Sequence, residues 1–105
     1  MSLKLLSQKD VRQSITMHEA IDALEQAFIE LARQQAQLPL RTHIDIKAED
    51  AVTLTMPAYL SQSRVLGLKV VSVFPKNVAQ QKPSINGVIL LLDAATGEPK
   101  AFMDA

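Results

Sequence analysis

The first third of the chain carries an apolar stripe at helical spacing. From Thr16 onward apolar residues recur every three or four positions, which is the period of an amphipathic helix. Thr16 stands three residues before Glu19, the spacing of a capping box that satisfies the free amides at a helix start, and Ser7 and Asp10 share that spacing. The pattern predicts a helix over about 17–35 that packs on one side. Its stripe comprises Met17, Ala20, Ile21, Leu24, Ala27, Phe28 and Leu31, and the residues facing elsewhere are Glu19, Asp22, Glu25, Gln26 and Glu30.

Beyond Pro39 apolar residues alternate with polar ones, which is the period of a strand with one polar face. The alternation predicts a strand from Leu40 to Lys47. After a polar turn at 47–50, a second strand is predicted over 52–56, ending at Pro57 as a conformational stop. The two strands are expected to form a hairpin. The polar face of the first comprises Arg41, His43, Asp45 and Lys47.

The segment from Val65 to Phe74 is apolar and β-branched on both faces, with Lys69 and Ser72 as its exceptions. Strands of this kind are buried on both sides, so we predict a central strand that is covered on both faces. A polar loop follows over 75–83, and 86–92 again has the pattern of a buried strand.

A tight reversal of the chain is predicted over 93–99. Gly97 is available there for a positive φ, and Asp93 and Thr96 are expected to bond the local backbone. Residues 101–105 have the pattern of a strand in progress without a polar tail, and we therefore expect a truncated chain.

The order of these elements, a helix followed by several strands, predicts an α+β fold. We expect the N-terminal helix or helices to pack on a mixed, largely antiparallel sheet. At 105 residues the chain is long enough for one domain, spanning 1–105. No alternating βαβ pattern is present.

Charge and composition exclude several classes of partner. Eleven basic residues balance eleven acidic ones, so the chain offers no electrostatic footprint for nucleic acid or for an anionic membrane surface. Cysteine is absent, which removes disulfides, zinc–cysteine sites and thiol nucleophiles and suits a reducing compartment such as the cytoplasm. His18 and His43 lack partners at ligand spacing, so no metal site is predicted.

Two cations in the strands could carry chemistry. Lys69 lies in an otherwise apolar strand, and its side chain either extends along apolar surface to solvent or to an internal carboxylate, or it binds an anion in a cleft. Arg41 has the guanidinium shape that binds carboxylates through two parallel hydrogen bonds, although a solvated strand face also explains it. Met56 is expected to be core filler.

Only three glycines occur, Gly67, Gly87 and Gly97, and none belongs to a G-x-G-x-x-G turn or a phosphate-binding loop. The chain therefore lacks the usual fingerprint of a dinucleotide-binding domain.

Four short segments have the order and spacing of a known family. They are Met56–Leu60, Leu66–Pro75 with Asn77, Leu91–Ala94 and Thr96–Pro99. In these segments the chain resembles the ornithine cyclodeaminase/mu-crystallin family. The resemblance covers the whole chain, but only about the first third of a typical member, and the Rossmann domain of the family is absent.

The resemblance implies an NAD- or NADP-linked enzyme that acts on amino acids or cyclic imino acids. It further implies that Arg41 and Lys69 hold the substrate carboxylate and that Ser84, where the family usually has threonine, lies near the nicotinamide. A third arginine, the aspartate acid/base and the nucleotide domain lie beyond this chain in family members, so the chain alone is expected to be inactive and to bind NAD weakly.

The resemblance also implies a homodimer, because the N-terminal parts of family members pair across a two-fold axis. In those members the C-terminal segment returns to this domain. An alternative reading is a non-catalytic binding or assembly module like the mu-crystallin relatives, which would dimerise without turnover.

Overall fold

The computed structural model describes residues 3–105. Within them, seven strands form one mixed sheet. The strand order is β1-β7-β6-β5-β4, and the short strands β2 and β3 share the outer edge of β4. The pair β1 and β7 is parallel and all other pairs are antiparallel. The predicted α+β fold with a mixed, largely antiparallel sheet is confirmed. The strands are β1 Lys4–Leu6, β2 Ala36–Gln37, β3 Thr42–Ile46, β4 Ala51–Leu60, β5 Val65–Val73, β6 Ile85–Leu92 and β7 Pro99–Asp104.

Two α-helices precede the long strands, α1 at Gln8–Ser14 and α2 at Met17–Ala32. Each begins with a complete capping box, formed by Ser7 with Asp10 and by Thr16 with Glu19. The backbone amides of the cap residues, followed by their hydroxyls, lower the pKa of Asp10 and Glu19. Helix α2 starts where predicted but ends three residues early, because the chain turns there to pair β2 with β4. Within residues 3–105 neither helix has the length and apolar character of a membrane span.

The prediction that a strand ends at Pro57 is wrong, since β4 runs on to Leu60. Pro57 lies opposite Leu68 of β5, but on its other side the pairing is interrupted between Thr42, opposite Thr55, and Gln37. A strand tolerates proline where no ladder bond is required of it. Proline has no backbone N–H to donate, and Pro57 lies where β4 has no partner on its outer side because the chain between β2 and β3 leaves the sheet.

The prediction that β5 is covered on both faces is also wrong. The strand lies between β4 and β6, but most of its side chains are half-buried, and Lys69 is exposed. By register, Val65, Gly67 and Lys69 point to the face where α2 lies. The helix covers that face only in part, and on the opposite face Phe102 and Leu5 are exposed.

Many large apolar side chains of the molecule are exposed to solvent. Among the described residues, the buried apolar ones are two alanines, Ala51 and Ala101. The solvent-accessible surface is 8008 Å², whereas a compact protein of this mass has roughly 5,800 Å². The radius of gyration is 15.6 Å, compared with about 13 Å for a compact domain of this length.

Helix α2 is attached to the sheet by a buried carboxylate rather than by its apolar stripe. Glu30, predicted to lie on the outer face, is fully buried. Its carboxylate accepts hydrogen bonds from the backbone amide of Ser63, at 2.8 Å, and from the Ser63 hydroxyl. The hydroxyl is the main cause that lowers the pKa of Glu30, against the opposing effect of burial. The turn between β4 and β5 thus holds the C-terminal end of α2.

The predicted reversal between β6 and β7 is confirmed. The Asp93 carboxylate accepts hydrogen bonds from the amides of Ala95, at 2.8 Å, and Thr96, at 3.1 Å. Gly97 has φ +76° and donates its amide to the Asp93 carbonyl. The side chain of Thr96 accepts a hydrogen bond from the Glu98 amide. All of these bonds join residues close in sequence.

Candidate substrate site

The interrupted edge of β4 brings the two candidate cations together. Met56 pairs with Lys69 across β4 and β5, and Thr55 pairs with Thr42 on the other side. Arg41 precedes Thr42, so it lies beside Met56 where the chain leaves the sheet.

Arg41 and Lys69 line the same cavity, with a volume of about 430 Å³. Both residues are exposed, and neither side chain forms a hydrogen bond or an ion pair within residues 3–105. By contrast, Lys76 donates to the Ala48 carbonyl at 3.0 Å and lies 4.0 Å from a Glu49 carboxylate oxygen. The other lining residues are Leu38, Pro39, Leu40, Met56, Pro57 and Ala58.

This arrangement suits a carboxylate ligand. An arginine binds a carboxylate through two parallel hydrogen bonds, and a lysine adds a mobile point charge. Because neither cation has an internal acidic partner in the described chain, a ligand would not have to displace one. An internal carboxylate partner for Lys69 is not observed within residues 3–105. The exposed side chain at the rim of the cavity is compatible both with extension to solvent and with binding of an anion, and the second stays a prediction.

An apolar groove adjoins this cavity on the side of α2, with a volume of about 310 Å³. The two spaces share Leu38, Met56, Ala58 and Lys69 in their linings. The sequence pattern predicts Met56 to be core filler, and it does not show that Met56 lies between the two cations. That position follows from the register of β4 against β5, which the sequence does not show.

Ser84 lies away from the cavity. It is half-buried just before β6, and its carbonyl accepts the Phe74 amide at 2.7 Å. The partner of Lys69 in β6 is Ile89, five residues further along the chain. Lys69 lies in the middle of β5 and Ser84 lies before the start of β6, so the structure does not bring their backbones together.

The described residues do not fit the phosphates of a dinucleotide. Such phosphates bind at free helix N-termini, where backbone amides point at the anion. Here the N-termini of α1 and α2 are both occupied by their own carboxylates, those of Asp10 and Glu19, which would repel a phosphate. Within residues 3–105 no group of three or more potential metal ligands is present.

Comparison with known proteins identifies close relatives. The chain is 34% identical over 100 residues to the Delta(1)-pyrroline-2-carboxylate reductase of Bacillus cereus, covering 95% of this chain and 31% of that protein. It superimposes with a TM-score of 0.92 and 42% identity on the Delta(1)-pyrroline-2-carboxylate reductase of Thermococcus litoralis in complex with NADH and L-proline, covering 96% of this chain and 31% of that one.

An archaeal alanine dehydrogenase dimer with bound NAD also superimposes with a TM-score of 0.92, at 33% identity, covering 100% of this chain and 32% of that one. The chain thus spans about a third of the length of its relatives. A family model matches residues 1–105 in full. The chain belongs to the ornithine cyclodeaminase/mu-crystallin family.

Proposed function

We propose that residues 1–105 are the substrate-binding and dimerisation domain of an NAD(P)-dependent oxidoreductase or cyclodeaminase that acts on amino acids or imino acids. In this proposal Arg41 and Lys69 hold the substrate carboxylate. The observation that carries the proposal is that these two cations, 28 positions apart in sequence, line one cavity without an internal acidic partner in the described chain. The bound L-proline in the Thermococcus litoralis relative supports a substrate of this class.

The role of the domain is to bind and orient the substrate. Arg41 fixes the plane of the carboxylate through paired hydrogen bonds, while Lys69 neutralises its charge from β5. Met56 lies between them and presents an apolar wall to the carbon skeleton. NADH is bound in one relative and NAD in another, and in this proposal the dinucleotide supplies the hydride chemistry. We assign Ser84 to the nicotinamide side of the complete enzyme on the family resemblance.

Calorimetric titration of the 105-residue chain with L-proline and with L-alanine tests this function. We expect weak binding that falls at least tenfold in Lys69→Ala and in Arg41→Ala, because each loses a charge-assisted contact to the carboxylate. Lys82→Ala is the matched control, since Lys82 is an exposed lysine outside the cavity. Equal binding by all variants, or tight binding of NADH by this chain alone, would contradict the proposal.

We also propose that the sheet face opposite α2 forms a homodimer interface. Leu68, Leu90, Phe102 and Leu5 are successive partners in the register and form one apolar row across four strands. Phe102 is 41% exposed and Leu5 is 72% exposed. The surface in excess of a compact domain, about 2,200 Å², is of the size that obligate interfaces bury. A dimeric relative, the archaeal alanine dehydrogenase, supports this assembly.

Sedimentation equilibrium of wild type and Phe102→Asp tests the interface. We expect a dimer for wild type and a monomer for the variant, because a buried unpaired carboxylate is unfavourable in an apolar interface. Ile21→Asp, at an exposed apolar residue of α2, should remain dimeric. A monomeric wild type at tens of micromolar would refute the interface.

The non-catalytic binding or assembly module remains the second candidate for the chain by itself. Dimerisation together with carboxylate binding fits both candidates. Turnover measured with the complete coding sequence distinguishes them. A cytoplasmic location remains a prediction.

A further inference from the structure

The cavity that Arg41 and Lys69 line is a gap within the sheet. Strands β2 and β3 both pair with β4, and between them the chain leaves the sheet over residues 38–41, which we call the linker. The linker lines one side of the cavity, and residues 56–58 of β4 together with Lys69 line the other side. The cavity is therefore the space between the linker and β4.

One extra residue keeps the linker out of register with β4. Gln37 lies opposite Tyr59, and Thr42 lies opposite Thr55. Four linker residues thus face three residues of β4, which is the count of a β-bulge, a device that interrupts a ladder and redirects the side chains beside it. In the described chain the linker forms no backbone hydrogen bond, and the Leu40 side chain is 94% exposed. Pairing with β4 therefore fixes the linker at its two ends and not along its length.

A proline on each side of the gap opposes a regular ladder. The amides of an antiparallel strand point alternately to its two neighbours, and Ser61 donates its amide to the Gln35 carbonyl at 2.8 Å, on the β2 side of β4. Tyr59 and Pro57 follow Ser61 in this alternation, so the Pro57 nitrogen also faces the outer side, where it has no N–H to donate to the linker. Pro39 removes a second donor, from the linker itself.

We infer that Pro39 and Pro57, together with the extra linker residue, are positioning residues of the site, because they keep the linker off β4 and thereby hold open the cavity between Arg41 and Lys69. The inference rests on the proposed carboxylate site. A linker paired along β4 would occupy the space that the carboxylate needs, although both cations would still be present.

Pro57→Val combined with deletion of Pro39 tests the inference. The deletion leaves three residues opposite three, and valine restores an amide and favours a strand. We expect one continuous strand in place of β2 and β3, in which the Leu40 amide exchanges with deuterium at least about tenfold more slowly than in wild type. Calorimetric titration with L-proline and with L-alanine should show an affinity at least about tenfold lower, because the carboxylate loses its charge-assisted contacts.

A single substitution and a control complete the set. Pro57→Val alone restores the amide but keeps the extra residue, so its affinity should lie between those of wild type and the combined variant. Pro75→Ala removes a proline outside the cavity and should change neither the affinity nor the exchange of Leu40. Unchanged or faster exchange of Leu40 in the combined variant, or failure of that variant to fold, would overturn the inference. A purely structural role for the prolines predicts faster exchange, not slower.

The binding data separate this inference from the proposed function. If carboxylate binding by the wild type is insensitive to Arg41→Ala and Lys69→Ala, the proposed function fails and the inference falls with it. If binding depends on both cations but the combined variant binds as tightly as wild type, the proposed function stands and the inference alone is wrong.

Discussion

Two carboxylates, Glu30 and Asp93, have lowered pKa values but hold different kinds of structure. Asp93 accepts hydrogen bonds from Ala95 and Thr96, two and three residues away, and closes the turn between β6 and β7. Glu30 accepts hydrogen bonds from Ser63, 33 residues away, and fixes α2 to the turn between β4 and β5. The bonds of Asp93 are local and exposed, whereas those of Glu30 join residues distant in sequence and are partly buried.

The difference shows how the two halves of the sheet are organised. At the Asp93 end the strands are joined by a turn whose polar groups are satisfied within a few residues. At the Glu30 end a single buried contact holds a helix above an open apolar groove and beside the unpaired cations Arg41 and Lys69. The turn at Asp93 fixes how β6 pairs with β7, and the region beside Glu30 carries the candidate site.

The largest effect on this comparison is expected from Glu30→Ala. It removes the buried contact between α2 and the β4–β5 turn and leaves the Ser63 amide and hydroxyl without their acceptor. We expect the midpoint of urea unfolding to fall further than in Gly97→Ala, Arg41→Ala or Lys69→Ala. Glu25→Ala, at an exposed residue of the same helix, is the control and should leave the midpoint unchanged. Equal midpoints for the two variants would mean that Glu30 does not anchor α2.

Acidification distinguishes the two carboxylates by their pH windows. Each has a lower pKa in the folded chain, so below its ordinary value the unfolded chain binds more protons and stability falls with pH. For Glu30 this loss begins below about 4.5, and for Asp93 below about 3.8. In Glu30→Gln the loss between about pH 4.5 and 3.8 should be smaller than in wild type, and the part that remains comes from Glu19, whose pKa is also lowered. Unfolding midpoints measured from pH 6 to pH 3 check this, and identical curves for variant and wild type would contradict it.

A smaller effect is expected at the local end from Gly97→Ala. Gly97 has φ +76°, and nothing lies within 4 Å of an added Cβ, so the cost is confined to the backbone. A left-handed conformation costs an ordinary residue about 1 to 2 kcal/mol. We expect a loss of that size in the free energy of unfolding. Gly97→Asn should lose less, since asparagine tolerates this region, and a larger loss in Asn than in Ala would contradict the explanation.

The same contrast explains what the sequence could predict. The Asp93 turn, the capping box of Thr16 and Glu19 and the presence of strands β3 to β7 follow from local spacing and alternation, and the structure confirms them. The spacing of Ser7 and Asp10 does not by itself predict helix α1, and the predicted end of β4 is wrong. The burial of Glu30 could not be predicted, because its partner Ser63 is distant in sequence and nothing in the helical pattern distinguishes Glu30 from Glu25. Coverage of β5 was misjudged because apolar residues on both faces indicate burial without showing what supplies it.

The sequence identifies Arg41 and Lys69 as candidates, and their roles stay predictions, but it does not show how the fold arranges them. Arg41 and Lys69 were identified from residue type and from the family resemblance, and the structure brings them to one cavity. The place of Met56 between them depends on the register of β4 and on the interruption at Pro57, which reads in the sequence as the end of a strand. The role of Ser84 remains a prediction.

Replacing Arg41 or Lys69 by alanine is expected to change the free energy of unfolding least. The same replacements are proposed to reduce carboxylate binding most. Both side chains are exposed and have no internal partner within residues 3–105, so replacing either by alanine removes no contact that the fold uses. The free energy of unfolding should therefore change by less than about 0.5 kcal/mol, measured by urea unfolding without ligand. A loss comparable to that of Gly97→Ala would show that the cations support the fold, and reduced carboxylate binding in those variants would then not prove direct contact. An unchanged stability makes any loss of binding attributable to the missing cation.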